Sequence, residues 1–167
     1  MHQYIEAPNY ELVSNQESIF LAGGISGCKN WQNDLIIELK QFNSLTVFNP
    51  RREKFEMFKG EADYTESIKQ IGWEYNHLRY ASQVCFWFGS ETLQPIALFE
   101  LGASLERNKY SGSNQVIIIG CDPNYKRIFD VKTQVNLSGH ATILESFKDF
   151  VYSVVVHNKN IERLNKK

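Results

Sequence analysis

The sequence predicts an α/β sandwich built on a parallel sheet of about five strands. Short apolar, β-branched runs recur along the chain and stop at glycine or Asn-Pro, as buried strands do. Longer stretches of helical period separate them. The composition, 43% hydrophobic and 22% charged over 167 residues, is that of a globular chain able to bury a sizeable core. No repeat, low-complexity block or linker divides it, so residues 1–167 read as one domain.

The elements follow in order. Residues 1–17 are polar with scattered aromatics and read as an N-terminal arm over the body. Ser18 to Ala22 (SIFLA) is the first strand, delivered into a loop at Gly23-Gly24. A helix is expected over Trp31 to Phe42, with Asn30 as cap and Trp31, Leu35, Leu39 and Phe42 on one side. Leu45 to Phe48 is the second strand, stopped by Asn49-Pro50. Residues 51–62 form a charged loop that still carries Phe55, Met57 and Phe58, suiting a lid or a subunit contact. The next helix is expected from Asp63, placed to cap it, to Tyr80, with Ile68, Ile71, Tyr75 and Leu78 inward. Gln83 to Phe88 is the third strand, and its loop from Gly89 leads into a helix opened by Pro95, a residue suited to a first helical position. Gln115 to Ile119 is the fourth strand, and a fifth is expected around Val131 to Leu137. The last helix is expected from Thr142 to about His157, with Leu144, Phe147, Val151 and Val154 inward, and residues 158–167 read as a solvated tail.

Charge and cysteine usage exclude several classes. A formal charge of -1 gives no footprint for DNA, RNA or an anionic membrane surface. No secretion signal opens the chain and no apolar run reaches membrane-spanning length. Cys28, Cys85 and Cys121 are widely spaced, which fits free thiols in a reducing compartment and a cytoplasmic location. The four histidines show no metal-binding spacing, so neither a metal nor another cofactor is expected.

The chemistry concentrates at Glu100, within IALFELGAS (residues 96–104). Its helical neighbours are Ile96, Ala97, Ala103 and Ser104, so no cation shares its stripe. Such a carboxylate must reach a cleft, a distant partner or solvent, because unpaired burial costs several kcal/mol. Glu74, within IGWEYNHL, also lacks a basic partner at helical spacing. In a parallel sheet the ligand site lies beyond the carboxyl ends of the strands, at the switch in strand order. The loops after the first and third strands and the start of the Glu100 helix belong to that edge. Gly23-Gly24-Ile25-Ser26-Gly27 there permits close approach of a ligand and offers amide donors and a hydroxyl, though it matches neither phosphate-loop pattern.

Taken together, FLAGGISGCKNW (residues 20–31), FNPRR (48–52), GWEYNHLRYAS (72–82), FWF (86–88) and FELGAS (99–104) resemble the nucleoside 2-deoxyribosyltransferase family, in its bacterial and phage-type branch. The resemblance runs from Ile19 to Lys109. It implies a flavodoxin-like (Rossmann-like) three-layer sandwich and N-glycosidic bond chemistry, with the ELG glutamate, here Glu100, as nucleophile and Glu74 as the supporting acid. It further implies that Gly23, Gly24 and Ser26 line the floor, that Trp31 stacks, and that Ser104, in the same FELGAS segment, belongs to the substrate-binding set. Where the family carries an aspartate holding the sugar's 5′ side, this chain has Gln94, with Glu91 the nearest acid. The family also completes its site with residues of a neighbouring subunit, implying a homo-oligomer in which Asp130, Gln134 or Asn136 serves.

The expected activity is retaining cleavage or transfer on 2′-deoxynucleosides through a deoxyribosyl-Glu100 intermediate, with a nucleoside and a free base as small-molecule partners. The loss of charge at Gln94 raises a second possibility, a 2′-deoxynucleoside 5′-monophosphate N-hydrolase. A binding module without chemistry, such as a sensor or sequestering protein, is the alternative from another class. A purely structural subunit with Phe55, Met57 and Phe58 as its patch is the third reading, and two unpaired acids speak against it.

Overall fold

A computed structural model describes residues 2–13, 15, 17–52, 64–140 and 142–165. The expected loop over 51–62, with Phe55, Met57 and Phe58, and the expected cap Asp63 fall largely or wholly outside these residues. Eleven elements follow one another: β1 (Gln3–Glu6), β2 (Glu17–Gly23), α1 (Trp31–Leu39), β3 (Leu45–Asn49), α2 (Tyr64–Tyr80), β4 (Gln83–Phe88), α3 (Pro95–Tyr110), β5 (Val116–Cys121), α4 (Ile128–Leu137), β6 (Ile143–Leu144) and α5 (Phe147–Leu164). The strands form one parallel sheet in the order β1-β3-β2-β4-β5-β6.

Alternation along each strand divides the core into two layers. On β2, Phe20 and Ala22 face one layer with Trp73 of α2, Leu101 of α3 and Val131 of α4. Ile19 and Leu21 face the other, with Leu35 of α1 and Phe150 of α5. The result is the expected three-layer α/β sandwich, with six strands instead of about five. Asn30 caps α1 as expected, its side chain accepting from the Asn33 amide, and the stripe Trp31, Leu35, Leu39 and Phe42 is buried, although the helix stops at Leu39.

Several expectations are corrected. The arm contributes β1, the sheet edge paired with β3. The strand expected around Val131 to Leu137 is helix α4: Val131 and Val135 are buried at helical spacing, whereas Leu137, which alternation would bury, is 70% exposed. In α2 the buried face is Gln70, Trp73, His77 and Leu78, so Ile68, Ile71 and Tyr75 point outward. That rotation is possible because each inward polar side chain has a hydrogen-bonded nitrogen, Gln70 Nε2 donating to Pro50 O and His77 Nδ1 lying 2.8 Å from Trp73 O. The last helix starts at Phe147, leaving Leu144 in β6, and runs on to Leu164 through the expected tail. Asn158 explains the extension, since it is buried and exchanges two hydrogen bonds with Gln83 of β4.

Trp73 ties α2 to the sheet. It is fully buried, packs its ring edge-on or tilted against Phe20, Phe48 and His77, and donates Nε1 to Asn9 O. Trp73→Ala is expected to destabilise the fold by about 3–5 kcal/mol in denaturant unfolding. A loss below about 1 kcal/mol would contradict this packing.

Candidate active site

The site begins with the glycine loop that ends β2. Gly23 takes φ 144°, and a Cβ there would lie 2.3 Å from the Trp87 carbonyl oxygen of β4, so only glycine fits. A Cβ on Gly24 would lie 2.4 Å from Cys28 Sγ and 2.7 Å from Gln94 Cδ. Arg51, which the sequence reading gave no role, holds this loop from behind. Its Nη2 lies within 3.3 Å of the carbonyl oxygens of Gly24, Ile25, Cys28 and Lys29, and its Nε donates to Gln32 Oε1 at 2.9 Å. A planar guanidinium is suited to gathering several acceptors in this way.

The opposite wall is the start of α3. Pro95 occupies its first turn, as expected, after Gln94 in a left-handed conformation with φ 47°. Between this wall, the glycine loop and α2 lies a cleft of about 320 Å³. Gly23, Gly24, Ser26, Glu74, Gln94 and Glu100 all line it, so most of the residues singled out in the sequence meet in one place. The rest of the described lining is largely apolar, including Phe20, Pro50, Leu93 and Ile96, and among the described residues it contains no Lys or Arg.

Glu100 is half-buried and makes no hydrogen bond or ion pair among the described residues. Burial and the nearby negative charge of Glu74 push its carboxyl up to about 8. Burial also raises Glu74, against an opposing hydrogen bond from Gln70 Nε2 at 2.8 Å. Gln70, four residues before Glu74, was legible only as a non-basic neighbour, and its holding role was missed. The two carboxyls titrate as a pair, and near neutrality they retain a proton between them.

Six residues named in the sequence lie outside this cleft. Ser104 is fully buried one turn beyond Glu100, with its Oγ 3.4 Å from Arg107 Nη2, and does not line the cleft. Trp31 and Glu91 line a second hollow of about 300 Å³, beyond Gly24 and Gln94, which are common to both. Trp31 is buried there, donating Nε1 to Gly24 O at 3.1 Å. Asp130, Gln134 and Asn136 are exposed on α4 and line neither hollow.

Comparison with known proteins settles the lineage. The sequence model described as "Nucleoside 2-deoxyribosyltransferase like" matches residues 16–125, which include the whole cleft. The chain belongs to the nucleoside 2-deoxyribosyltransferase-like family. A crystal structure of a conserved protein from Enterococcus faecalis V583 is similar to this family member with a TM-score of 0.54 at 10% identity, covering 81% of this chain and 95% of that one. At that identity the likeness concerns the fold. Comparison with curated proteins returns no match. No group of His, Cys, Asp and Glu among the described residues could hold a metal ion, and no described helix is long and apolar enough to cross a membrane.

The raised Glu100 carboxyl has a thermodynamic consequence. Between pH 4.5 and about 8 the folded state holds the proton that the unfolded chain releases, so this group's contribution to stability falls as pH rises. Glu100→Gln removes that loss. Its melting temperature is expected to exceed that of the parent by a few degrees at pH 8, with the gap narrowing toward pH 4.5. A gap of the opposite slope in a pH series of melting curves would contradict the assignment.

Proposed function

We propose that the protein cleaves the N-glycosidic bond of 2′-deoxynucleosides by a retaining double displacement, with Glu100 as nucleophile and Glu74 as the acid at the leaving base. The observation that carries this reading is the pair of carboxyls, with no cation beside them among the described residues, in a largely apolar cleft at the carboxyl edge of the sheet.

The singly protonated pair supplies both roles. With the proton on Glu74 and Glu100 ionised, a Glu100 oxygen forms a bond to C1′ while the C1′–N bond breaks. The bonding electrons leave on the base nitrogen, which takes the Glu74 proton. In the empty cleft burial favours a neutral Glu100. Positive charge developing at C1′ reverses that preference, because it is the opposite charge the carboxylate lacks. The absence of a 2′-hydroxyl eases that charge development. In the second step a free base or water attacks C1′ from the vacated side, its proton passes to Glu74, and Glu100 is released with overall retention. A base yields a new nucleoside, and water yields free deoxyribose. The apolar walls supported by Phe20, Pro50 and Ile96 limit competing water and strengthen the electrostatics within.

The test is a panel of 2′-deoxynucleosides and their 5′-monophosphates, incubated with and without a second free base and followed by chromatography of base release and exchange. Free nucleosides are expected to be cleaved, and Glu100→Ala to lower the rate by about a thousandfold or more. Cleavage restricted to monophosphates would support the N-hydrolase alternative, and binding without base release would support the sensor. The pH profile of kcat/KM is expected to be bell-shaped, falling on the alkaline side near 8 as the pair loses its last proton. A profile that keeps rising through pH 9 would remove Glu74 as the acid.

A further inference from the structure

Gln70 lies on the buried face of α2, four residues before Glu74, and is 2% exposed. Its Nε2 donates twice, to Pro50 O at 2.8 Å and to Glu74 Oε1 at 2.8 Å. An amide nitrogen has two hydrogens to give, so both are committed. Pro50 O, a backbone carbonyl just past the end of β3, can only accept, and the amide cannot turn over without setting oxygen against oxygen. The orientation is kept although Gln70 Oε1 is itself buried with no donor among the described residues. An acceptor left so is costly, and the two bonds from Nε2 offset that cost.

The consequence falls on Glu74. Its Oε1 receives the Gln70 N–H, whereas Oε2 has no hydrogen-bond partner among the described residues. In a protonated carboxyl the carbonyl oxygen is the better acceptor and the hydroxyl is the donor. With Oε1 held as the acceptor, the proton belongs on Oε2. Glu74 lines the cleft together with Glu100, and Oε2 is the oxygen left to meet a ligand there.

We propose that Gln70 is the positioning residue of the acid: it reserves Oε1 of Glu74 as an acceptor, so that the proton given to the leaving base travels through Oε2. The proposal rests on the reading of the cleft as a 2′-deoxynucleoside site. In the first step the Oε2–H bond breaks as its proton joins the base nitrogen, which has kept the electron pair of the C1′–N bond. In the second, the attacking water or base returns a proton to Oε2. Oε1 accepts from Gln70 throughout, and more strongly once Glu74 is ionised, so the bond that orients the acid also eases its proton away. The tether ends on the backbone beside β3, which makes the placement of this proton part of the sheet's own geometry.

The experiment compares the full chain with its Gln70→Met variant, which keeps the side-chain length but has no donor, on two substrates. One is the 2′-deoxynucleoside that the parent cleaves fastest. The other is 4-nitrophenyl 2-deoxy-β-ribofuranoside, whose leaving group departs without a proton. For the nucleoside, kcat is expected to fall about tenfold or more with KM within about threefold, and for the aryl substrate kcat is expected to stay within about threefold. Equal loss on both substrates makes Gln70 a packing residue and overturns the proposal, as does no loss on either. A second measurement, NMR of the Gln70 side-chain amide in the parent from pH 4 to pH 9, needs neither a variant nor turnover and decides the matter if the variant does not fold or the aryl substrate is not taken. The hydrogen facing Glu74 is expected to move downfield with rising pH along a titration curve, while the one facing Pro50 O holds its position. Two resonances that stay flat, or that move together, overturn the proposal. If the parent releases base while the amide stays flat, the nucleoside reading stands without this role for Gln70. If the parent releases base from no 2′-deoxynucleoside, that reading falls and the proposal falls with it.

Discussion

The cleft depends on the placement of β2 between β3 and β4. After β3 the chain crosses back over β2 to begin β4, so α1 and α2 leave the sheet on opposite faces and, among the described residues, no helix packs over the carboxyl end of β2. The glycine loop emerges into that gap. Its close contact with the Trp87 backbone follows from the pairing of Gly23 with Trp87 in the parallel ladder. Arg51, just past the end of β3, reaches the loop carbonyls because β3 lies beside β2. Each wall of the site is therefore tied to a strand neighbour, and the geometry is set by the sheet rather than by the loops alone.

Within that frame the carboxyl pair is an electrostatic arrangement that the fold tolerates at some cost. Two acids on separate helices, facing one largely apolar space with no cation among its described lining, resist ionising together. Gln70 offsets part of the cost at Glu74 but offers nothing to Glu100. The asymmetry leaves Glu100 the less solvated of the two and so the more responsive to a positive charge brought near it. This is the behaviour expected of a group whose interactions are completed by a transition state rather than by the protein.

Much of this was legible in the sequence because the relevant signals are local. The β-branched runs, the Asn30 cap, Pro95 at the head of α3 and the lack of cations near Glu100 each need only a few residues of context. The misreadings share a different cause. The inward face of α2 is built from Gln70 and His77, polar residues that become buriable only through partners on Pro50 and Trp73, so a hydrophobic stripe pointed to the wrong side. Residues 131–137 carry valines compatible with either period, and the choice was made by packing against the sheet. The helix past residue 157 is held by a Gln83–Asn158 bond across 75 positions, which no local pattern contains. Ser104 and Trp31 sit close in sequence to the cleft residues, but one helical turn or one sheet face removes them from it.

The glycine floor also bears on how such a site can diversify. At Gly23 any side chain would meet the Trp87 carbonyl, and at Gly24 it would meet Cys28 and Gln94, so the glycine wall of the cleft has almost no accessible sequence variation. The rim is different: Ser26, Leu93 and Ile96 line the cleft yet are half or more open to solvent or exposed, and changes there disturb little packing. A lineage built on this scaffold can therefore alter what the cleft admits by substituting rim residues while its glycine wall and carboxyl pair stay the same. The shape of the opening and the make-up of the interior are in this sense inherited separately.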